Sequence, residues 1–217
     1  MHIPGEFGIP LWFDLAATAL FAITGAAVAI QRGYDYVGIF ALAFVTGIGG
    51  GILRDAVFLQ LGTPAALRDW RYTAAIAVAT ILAIVFARRI ARVSIENAGF
   101  AFVDAVALGM YAAIGVQKSL DAHVGLLAAV IVGVLNAVGG GVIRDVLAQR
   151  PAMLFQPSQI YGLAALAGCL TFVAIVEFAP FEQSVAGACA VVVTVALRML
   201  AVRFNWRTRA ITVISSP

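Results

Sequence analysis

The chain has 217 residues, of which 63% are hydrophobic and only 12% are charged, against roughly 25% charged residues in an ordinary soluble domain. This composition excludes a disordered chain and argues against a water-soluble globule. The 14 basic and 11 acidic residues leave a net charge of +3, which is too small and too scattered to indicate binding to nucleic acid. The expected surroundings are a lipid bilayer.

Seven apolar segments follow one another along the chain, and each is predicted to be long enough to cross a bilayer. A crossing helix needs about 20 mostly apolar residues. The predicted spans are 11–30, 37–57, 72–87, 99–116, 124–147, 160–178 and 184–202. Their connections are short and carry most of the charges, so residues 1–217 are predicted to form a single all-α transmembrane domain of seven helices.

The distribution of basic residues predicts an orientation, because cytoplasmic loops carry an excess of arginine and lysine. The first, third and fifth connections and the C-terminus contain Arg32, Arg88, Arg89, Arg92, Arg150, Arg203, Arg207 and Arg209. The opposite side contains Arg68, Arg71 and Lys118. We therefore expect the N-terminus outside and the C-terminus in the cytoplasm. The first ten residues contain no lysine or arginine, so the first span is predicted to be retained rather than cleaved as a signal peptide.

An internal repeat is the strongest organisational feature of the sequence. A shift of 90 residues aligns Asp14 with Asp104, Gly25 with Gly115, and the segment GGGILRDAV with GGGVIRDVL. The first repeat covers about 11–90 and the second about 99–179, and a seventh helix at about 184–202 lies outside both. Since each repeat contains three spans, the second enters the membrane from the opposite face, and the two are predicted to be inverted.

Three consecutive glycines occur at matching places in the second and fifth spans. They are Gly49, Gly50 and Gly51 in the second span, and Gly139, Gly140 and Gly141 in the fifth. Because each glycine costs a helix up to about 1 kcal/mol relative to alanine, the triplets are expected to kink or interrupt their helices. The last carbonyls of an interrupted helix would then be free to coordinate K⁺ or Na⁺. The alternative is close packing of helices through small residues.

An Arg-Asp pair follows each triplet, and a further aspartate lies near the start of each repeat. Charges at membrane depth normally face the bundle interior or water. The inverted arrangement predicts two mouths, one at each face of the membrane, with two carboxylates and one guanidinium at each. They are Asp14, Arg54 and Asp55 at the first mouth, and Asp104, Arg144 and Asp145 at the second. A net charge of about −1 at each mouth favours cations, and the alternative role is bridges that pin helix ends.

Neighbouring residues on a helix point roughly 100° apart, so Arg54 is not expected to pair with Asp55. Arg144 and Asp145 repeat this arrangement. Each arginine should therefore find its partner elsewhere in the cluster.

Further polar and aromatic residues lie on the same predicted faces. Thr46 and Asn136 precede the triplets by three residues and would add one oxygen each, or bond within and between helices. Phe21 and Tyr111 also match under the shift and would narrow a pore at two places, or serve as ordinary packing. Lys118 is either an interfacial anchor or a gating charge. The two cysteines and two histidines form no ligand pattern, so no cofactor is expected.

With the two GGGxxRD segments, the two early aspartates and seven spans, the chain resembles the bacterial members of the trimeric intracellular cation channel family from about Leu11 to Val202. The resemblance implies a homotrimer in which each protomer encloses its own pore. The second and fifth helices would line that pore, and K⁺ and Na⁺ would pass through it. Animal relatives carry a Lys-Glu-Val motif in place of the first glycine triplet. The same sequence family is also labelled as glycine transporters.

The preferred hypothesis from the sequence is therefore a monovalent cation channel rather than an enzyme, because the residues offer no acid, base and substrate pocket in a catalytic arrangement. The alternative is a transporter of small zwitterions such as glycine, in which Arg54 or Arg144 binds a carboxylate and an aspartate binds the ammonium group. A third class, a purely structural membrane protein, predicts no flux of either kind.

Overall fold

The computed structural model describes residues 9–92, 97–156, 160–179, 182–206 and 208. His2, Arg207 and Arg209 lie outside the described residues. The seven long helices in this part of the chain are α1 (Leu11–Gln31), α2 (Tyr36–Ile52), α3 (Trp70–Val85), α4 (Ala98–Asp121), α5 (Leu126–Leu147), α6 (Tyr161–Phe178) and α7 (Gln183–Phe204). A π-helix continues α2 over Leu53–Phe58, and short helices cover Ala65–Arg68, Ala87–Ile90 and Met153–Phe155.

Six of these helices are long and apolar enough to cross a membrane, with α2 counted together with its π-helical end. The exception is α3, which has 16 residues and spans about 24 Å at a rise of ~1.5 Å per residue. This is shorter than the ~30 Å hydrocarbon layer. The chain is thus an all-helical, multi-pass membrane protein with six strong spans and one shorter apolar helix.

Polar side chains mark where three of the helices begin. The side chains of Asp35 and Asn97 each accept a hydrogen bond of 2.8 Å from a backbone N–H in the first turn of α2 and α4, respectively. Asp69 does the same for α3, accepting from the backbone N–H of Arg71 at 3.0 Å. The side-chain hydrogen bond from Arg71 lowers the pKa of Asp69 below its ordinary value. These caps satisfy donors that a helix start leaves unpaired.

The helices pack as two similar groups of three joined along their centres. In the first group α1 packs against α2 and α3, and in the second α4 packs against α5 and α6. The contacts α1 to α4 and α2 to α5 join the two groups, and α7 covers α4 and α6. Two buried hydrophobic clusters lie mainly one in each group, and each includes a few residues from the other. The functional residues predicted from the sequence lie on α1, α2, α4 and α5, where the groups meet.

The glycine triplets do not interrupt their helices, so the predicted interruption is wrong, while a kink at the triplets stays a prediction. Helix α5 runs unbroken through its triplet from Leu126 to Leu147. In α2 the backbone N–H of Leu53 donates to the carbonyl oxygens of Gly49 and Gly50. Those carbonyls are engaged within the helix, and the structural basis expected for a carbonyl site for K⁺ or Na⁺ is missing in this conformation.

The 90-residue correspondence ends just after each Arg-Asp pair. The carbonyl of Arg54 accepts from Leu59, five residues on, whereas the carbonyl of Arg144 accepts from Ala148, four residues on, both at 2.9 Å. Each segment then turns through a glutamine with a positive φ, at Gln60 (50°) and Gln149 (51°). The π-helix thus accommodates one extra residue in the first repeat, and it lies in the segment that carries a buried ion pair. Such π-helical turns are rare and often occur at functional sites.

Candidate functional site

Helices α2 and α5 cross in direct backbone contact at the two glycine triplets. A Cβ on Gly49 would lie 3.6 Å from the Cα of Gly140, and a Cβ on Gly139 would lie 3.5 Å from the Cα of Gly50. A Cβ on Gly140 would lie 2.5 Å from the carbonyl oxygen of Thr46. The triplets therefore serve close helix packing, which was the alternative interpretation of the sequence.

The contacts across this crossing are reciprocal. A Cβ on Gly50 would overlap the carbonyl oxygen of Asn136, which corresponds to the contact between Gly140 and Thr46. Gly49 faces Ile143, and Gly139 faces Leu53, each at 2.9 Å from a hypothetical Cβ. Because only glycine leaves room for another backbone at these positions, we call this region the glycine crossing.

The first polar cluster lies at one end of the glycine crossing and comprises Asp14, Arg54, Asp55, Tyr72 and Lys118. Arg54 binds its neighbour Asp55 through two bonds, Nε to Oδ1 at 2.6 Å and a terminal nitrogen to Oδ2 at 3.1 Å. The prediction that these neighbours do not pair is wrong, because the long arginine side chain folds back across the helix surface. Both residues are buried.

Lys118 joins the first polar cluster from α4. Its Nζ lies 3.7 Å from Oδ2 of Asp14 and 3.8 Å from Oδ2 of Asp55. Tyr72 donates a hydrogen bond of 2.7 Å to Oδ2 of Asp14. This cluster thus contains two carboxylates and two cations rather than the predicted net charge of about −1. The sequence predicted that Lys118 lies at a helix end, but not that it contacts Asp14 and Asp55. Tyr72 was not predicted as a site residue.

A cavity of about 240 Å³ opens beside the first polar cluster. Its polar wall includes Asp14, Tyr72, Gln117, Lys118 and Asp121, and its apolar wall is formed by Ile9, Leu11 and Ile114. The Lys118 side chain is 28% exposed. A small hydrated ion can therefore reach the carboxylate of Asp14 from this side.

The second polar cluster lies at the other end of the crossing and comprises Thr24, Asp104, Arg144, Asp145 and Tyr161. One terminal nitrogen of Arg144 donates to Asp104 at 2.7 Å and to Thr24 at 2.9 Å, and its Nε donates to Asp145 at 3.0 Å. The structure thus brings together the three charges predicted for this mouth, although the pairing of neighbours Arg144 and Asp145 was again not expected. The side chains of Asp104 and Arg144 are 0% exposed.

Each cluster has a further hydrogen bond, equivalent in the two, that holds its Arg-Asp pair in place. Oδ2 of Asp55 accepts from the backbone N–H of Ala65 at 3.2 Å, and Oδ2 of Asp145 accepts from that of Met153 at 3.1 Å. Each aspartate therefore binds both its arginine and the following loop. This supports the interpretation of the pairs as bridges that pin helix ends.

Arg198 of α7 extends the second polar cluster, and sequence reasoning missed it. Its guanidinium carbon lies 4.9 Å from the ring centroid of Tyr161, and the residue is 1% exposed. A lone arginine inside the apolar seventh span was the available signal, because charged residues at membrane depth are rare and usually functional.

Buried polar groups extend from the first polar cluster into the glycine crossing. Arg54 approaches the Asn136 side-chain oxygen at 3.5 Å, and the Asn136 amide donates to the carbonyl of Tyr111 at 2.6 Å. The hydroxyl of Thr46 donates to the carbonyl of Leu42 in its own helix at 2.5 Å. Of the two predicted polar positions, Asn136 thus connects helices, whereas Thr46 contributes its hydroxyl only locally.

Phe21 and Tyr111 lie at one place instead of two. Their ring centroids are 5.3 Å apart, and both residues are buried. The hydroxyl of Tyr111 donates to the carbonyl of Gly47 at 2.6 Å and lies 2.7 Å from the hydroxyl of Thr18. Because α1 and α4 pack against each other, the two aromatic residues form a single buried contact between these helices.

A multi-pass helical bundle with two buried ion-pair clusters at opposite ends of a tight crossing is typical of membrane transport proteins. The family model described as "Glycine transporter" matches residues 11–88 and again residues 101–177. The chain therefore belongs to this family, which is a family of membrane proteins rather than of enzymes. The two matched segments start 90 residues apart and end 89 residues apart, as the extra residue in the π-helix requires.

Similar proteins extend over most of the chain. The UPF0126 inner membrane protein YadS of Escherichia coli is 34% identical, over 89% of this chain and 92% of the relative. A UPF0126 membrane protein of Deinococcus radiodurans is 33% identical, over 82% of this chain and 81% of the relative.

The fold is also similar to solved structures of TRIC cation channels. One, from a study of conductance through TRIC cation channels, has a TM-score of 0.81 at 29% identity and covers 94% of this chain and 98% of that chain. The TRIC trimeric intracellular cation channel orthologue from Rhodobacter sphaeroides has a TM-score of 0.80 at 27% identity, covering 90% and 97%. The resemblance stated from the sequence is thus confirmed.

Proposed function

We propose that the chain is a monovalent cation channel of the bacterial inner membrane, with K⁺ and Na⁺ as the permeant ions and a path through each protomer. The observation that carries this proposal is the pair of carboxylate-bearing clusters at opposite ends of the α2 and α5 crossing. The similarity to TRIC cation channels supports it. No bond is made or broken in this function, and the side chains act through charge and shape.

The proposed path runs along α2 and α5 past the glycine crossing. Inversion of the two repeats is supported by the reciprocal contacts of Gly50 with Asn136 and of Gly140 with Thr46. In this conformation the two backbones touch at the crossing, so the path is shut there. Opening requires α2 and α5 to separate or slide, and the absence of side chains at the contact keeps their surfaces smooth.

The first polar cluster is suited to attract a monovalent cation. The ammonium group of Lys118 lies within 4 Å of oxygens from both Asp14 and Asp55. A position that accepts an ammonium group between two carboxylates also suits K⁺ or Na⁺, since the charge is the same. We propose that an arriving cation competes with Lys118 there, which gives Lys118 the role of a gating charge.

Two further parts of the proposal concern arrangement in the membrane. The arginine distribution supports an external N-terminus and a cytoplasmic C-terminus. The resemblance to trimeric channels supports a homotrimer, which the mass of the detergent-solubilised protein measures directly. A mass of one protomer would contradict this part and leave the proposed path unaffected.

Transport of a small zwitterion is the second candidate function, favoured by the description of the family model. It requires Arg54 or Arg144 to bind a carboxylate. Both guanidinium groups are buried and already bind aspartates, so this mechanism needs a rearrangement of the ion pairs as well as an opening of the path.

Recording from purified protein in a planar bilayer under a KCl gradient separates these functions. The channel proposal predicts discrete current steps with a reversal potential near that of K⁺, and comparable currents in NaCl. Absence of current, or a reversal potential near that of Cl⁻, would contradict it. Saturable glycine uptake with counterflow, without current steps, would favour the transporter. Lipid without protein, and the surface variant Val37→Ala (Val37 is 74% exposed), serve as controls.

A further inference from the structure

The two mouths differ at a pair of repeat-matched glycines, Gly51 and Gly141. A Cβ on Gly51 would meet a terminal nitrogen of Arg54 at 3.6 Å. A Cβ on Gly141 would meet the hydroxyl of Tyr161 at 2.8 Å and a terminal nitrogen of Arg144 at 3.7 Å. In the second mouth the phenol of Tyr161 therefore occupies the space beside the last glycine. Tyr72, which matches Tyr161 once the extra residue of the π-helix is allowed for, instead places its hydroxyl on Asp14 in the first mouth.

Several polar atoms around this phenol are buried without a hydrogen-bond partner among the described residues. They are the hydroxyl of Tyr161, Oδ2 of Asp104 and one terminal nitrogen of Arg144. Buried polar groups are normally satisfied, so a group of unsatisfied ones calls for an explanation. The carboxylate oxygen can accept hydrogen bonds and the other two groups can donate them, so all three would be satisfied if water entered this mouth.

Arg198 holds the phenol from outside the repeats. Its guanidinium lies over the Tyr161 ring at 4.9 Å, within the range in which a cation is attracted to an aromatic face. It comes from α7, which packs against α4 and α6. A movement of α7 relative to α6 would therefore release the ring.

We propose that Tyr161 is the gate residue of the second mouth and that Arg198 is the positioning residue that keeps this gate closed. This inference rests on the proposed channel function for its physiological meaning. In the closed state the Tyr161 hydroxyl lies against Gly141 and excludes water from the second polar cluster. In the open state the ring leaves Gly141, and water and the permeating K⁺ or Na⁺ reach Asp104.

Single-channel recording of Tyr161 and Arg198 variants tests the gate. Tyr161→Ala should raise the open probability at least about fivefold, a shift of roughly 1 kcal/mol in the closed-to-open equilibrium. Tyr161→Phe, which loses only the hydroxyl beside Gly141, should give a smaller rise. Arg198→Gln should act like Tyr161→Ala, and Arg198→Lys, which keeps a cation over the ring, should restore the wild-type value. Arg203→Gln, on the exposed end of the same helix, should leave it unchanged.

A second measurement reports on the gate even if no current is found. In a Cys169→Ala, Cys189→Ala background, Thr24→Cys places a thiol where Thr24 contacts Arg144 (2.9 Å). Its reaction with a small water-soluble thiol reagent should be at least about fivefold faster when Tyr161→Ala or Arg198→Gln is added, and should rise less with Tyr161→Phe. Unchanged reaction rates, or unchanged open probability in a conducting wild type, would overturn the gate. If the wild-type protein carries no current but the Tyr161 and Arg198 variants still speed the thiol reaction, only the channel proposal is overturned and the gate stands.

Discussion

The two polar clusters are built on the same GGGxxRD segment, yet only the first is open to water. Asp14 and Lys118 line a cavity, whereas Asp104 and Arg144 are fully enclosed. The Arg-Asp pair and its contact with the following loop are alike in both. The difference comes from residues outside the segment, because Lys118 and Arg198 have no repeat-matched counterparts. The GGGxxRD segment thus forms the Arg-Asp ion pair, and the packing of the surrounding helices determines whether water reaches it.

The largest expected difference between the clusters is in stability. Asp104→Asn leaves the buried Arg144 guanidinium with one fewer counter-charge, and breaking a buried pair costs about 3–5 kcal/mol. Asp14→Asn should cost about 1 kcal/mol, because the buried Asp14 side chain lines the cavity and Lys118 keeps Asp55 as a neighbour. Unfolding in mixed detergent micelles measures both. Asp35→Asn is the matched control, since asparagine caps a helix as well as aspartate. Equal losses for Asp14 and Asp104 would show that the clusters do not differ in this way.

The glycine crossing is expected to be the next most sensitive region. Gly50→Ala and Gly140→Ala each place a methyl group against the backbone of the opposite helix, and such overpacking costs about 1–3 kcal/mol. The two losses should be similar, since the contacts are reciprocal. Gly99→Ala is the control, because its Cβ would have only an ordinary contact of 3.5 Å, with Asn97. Tolerance of both crossing variants would contradict the close packing described here.

The sequence was sufficient to predict the helices and the three charged residues of the second polar cluster, Asp104, Arg144 and Asp145. The apolar segments bring Asp104 and Arg144 together, because consecutive helices joined by a short loop run antiparallel and place the start of α4 beside the end of α5. The structural role of the glycine triplets was harder to predict than the helices. A single sequence does not distinguish a helix that breaks from one that touches another backbone, and the answer depended on α5 lying against α2.

Other features depended on side-chain reach and on tertiary contacts. The prediction that Arg54 and Asp55 do not pair came from the roughly 100° between the Cα–Cβ bonds of neighbouring helix residues. This angle does not limit the guanidinium at the end of a long, flexible side chain. Lys118 lies in the second repeat but serves the first polar cluster, because α1 and α4 are adjacent. The contact between Arg198 and Tyr161 joins two helices that no repeat relates, so the 90-residue shift contained no information about it.

The smallest expected effect concerns charge screening at the two mouths. Lys118→Gln should raise K⁺ conductance about twofold at low ionic strength and much less in 1 M salt, where the Debye length falls to about 3 Å. The effect of Arg198→Gln should depend little on salt, since Arg198 is enclosed. Conductance ratios across a salt series measure this difference. The same salt dependence for both variants would contradict an open first mouth and a closed second one.

The central claim is that cations pass the first polar cluster on their way through the protomer. Chemical recharging of position 118 tests it most directly, using Lys118→Cys in the Cys169→Ala, Cys189→Ala background. A positively charged thiol reagent should restore a cation and lower the K⁺ current, and a negatively charged reagent of similar size should raise it. Both should act from the side on which the N-terminus lies. Equal effects of the two reagents, or none, on a channel shown to be fully modified would contradict a cation path through this cluster.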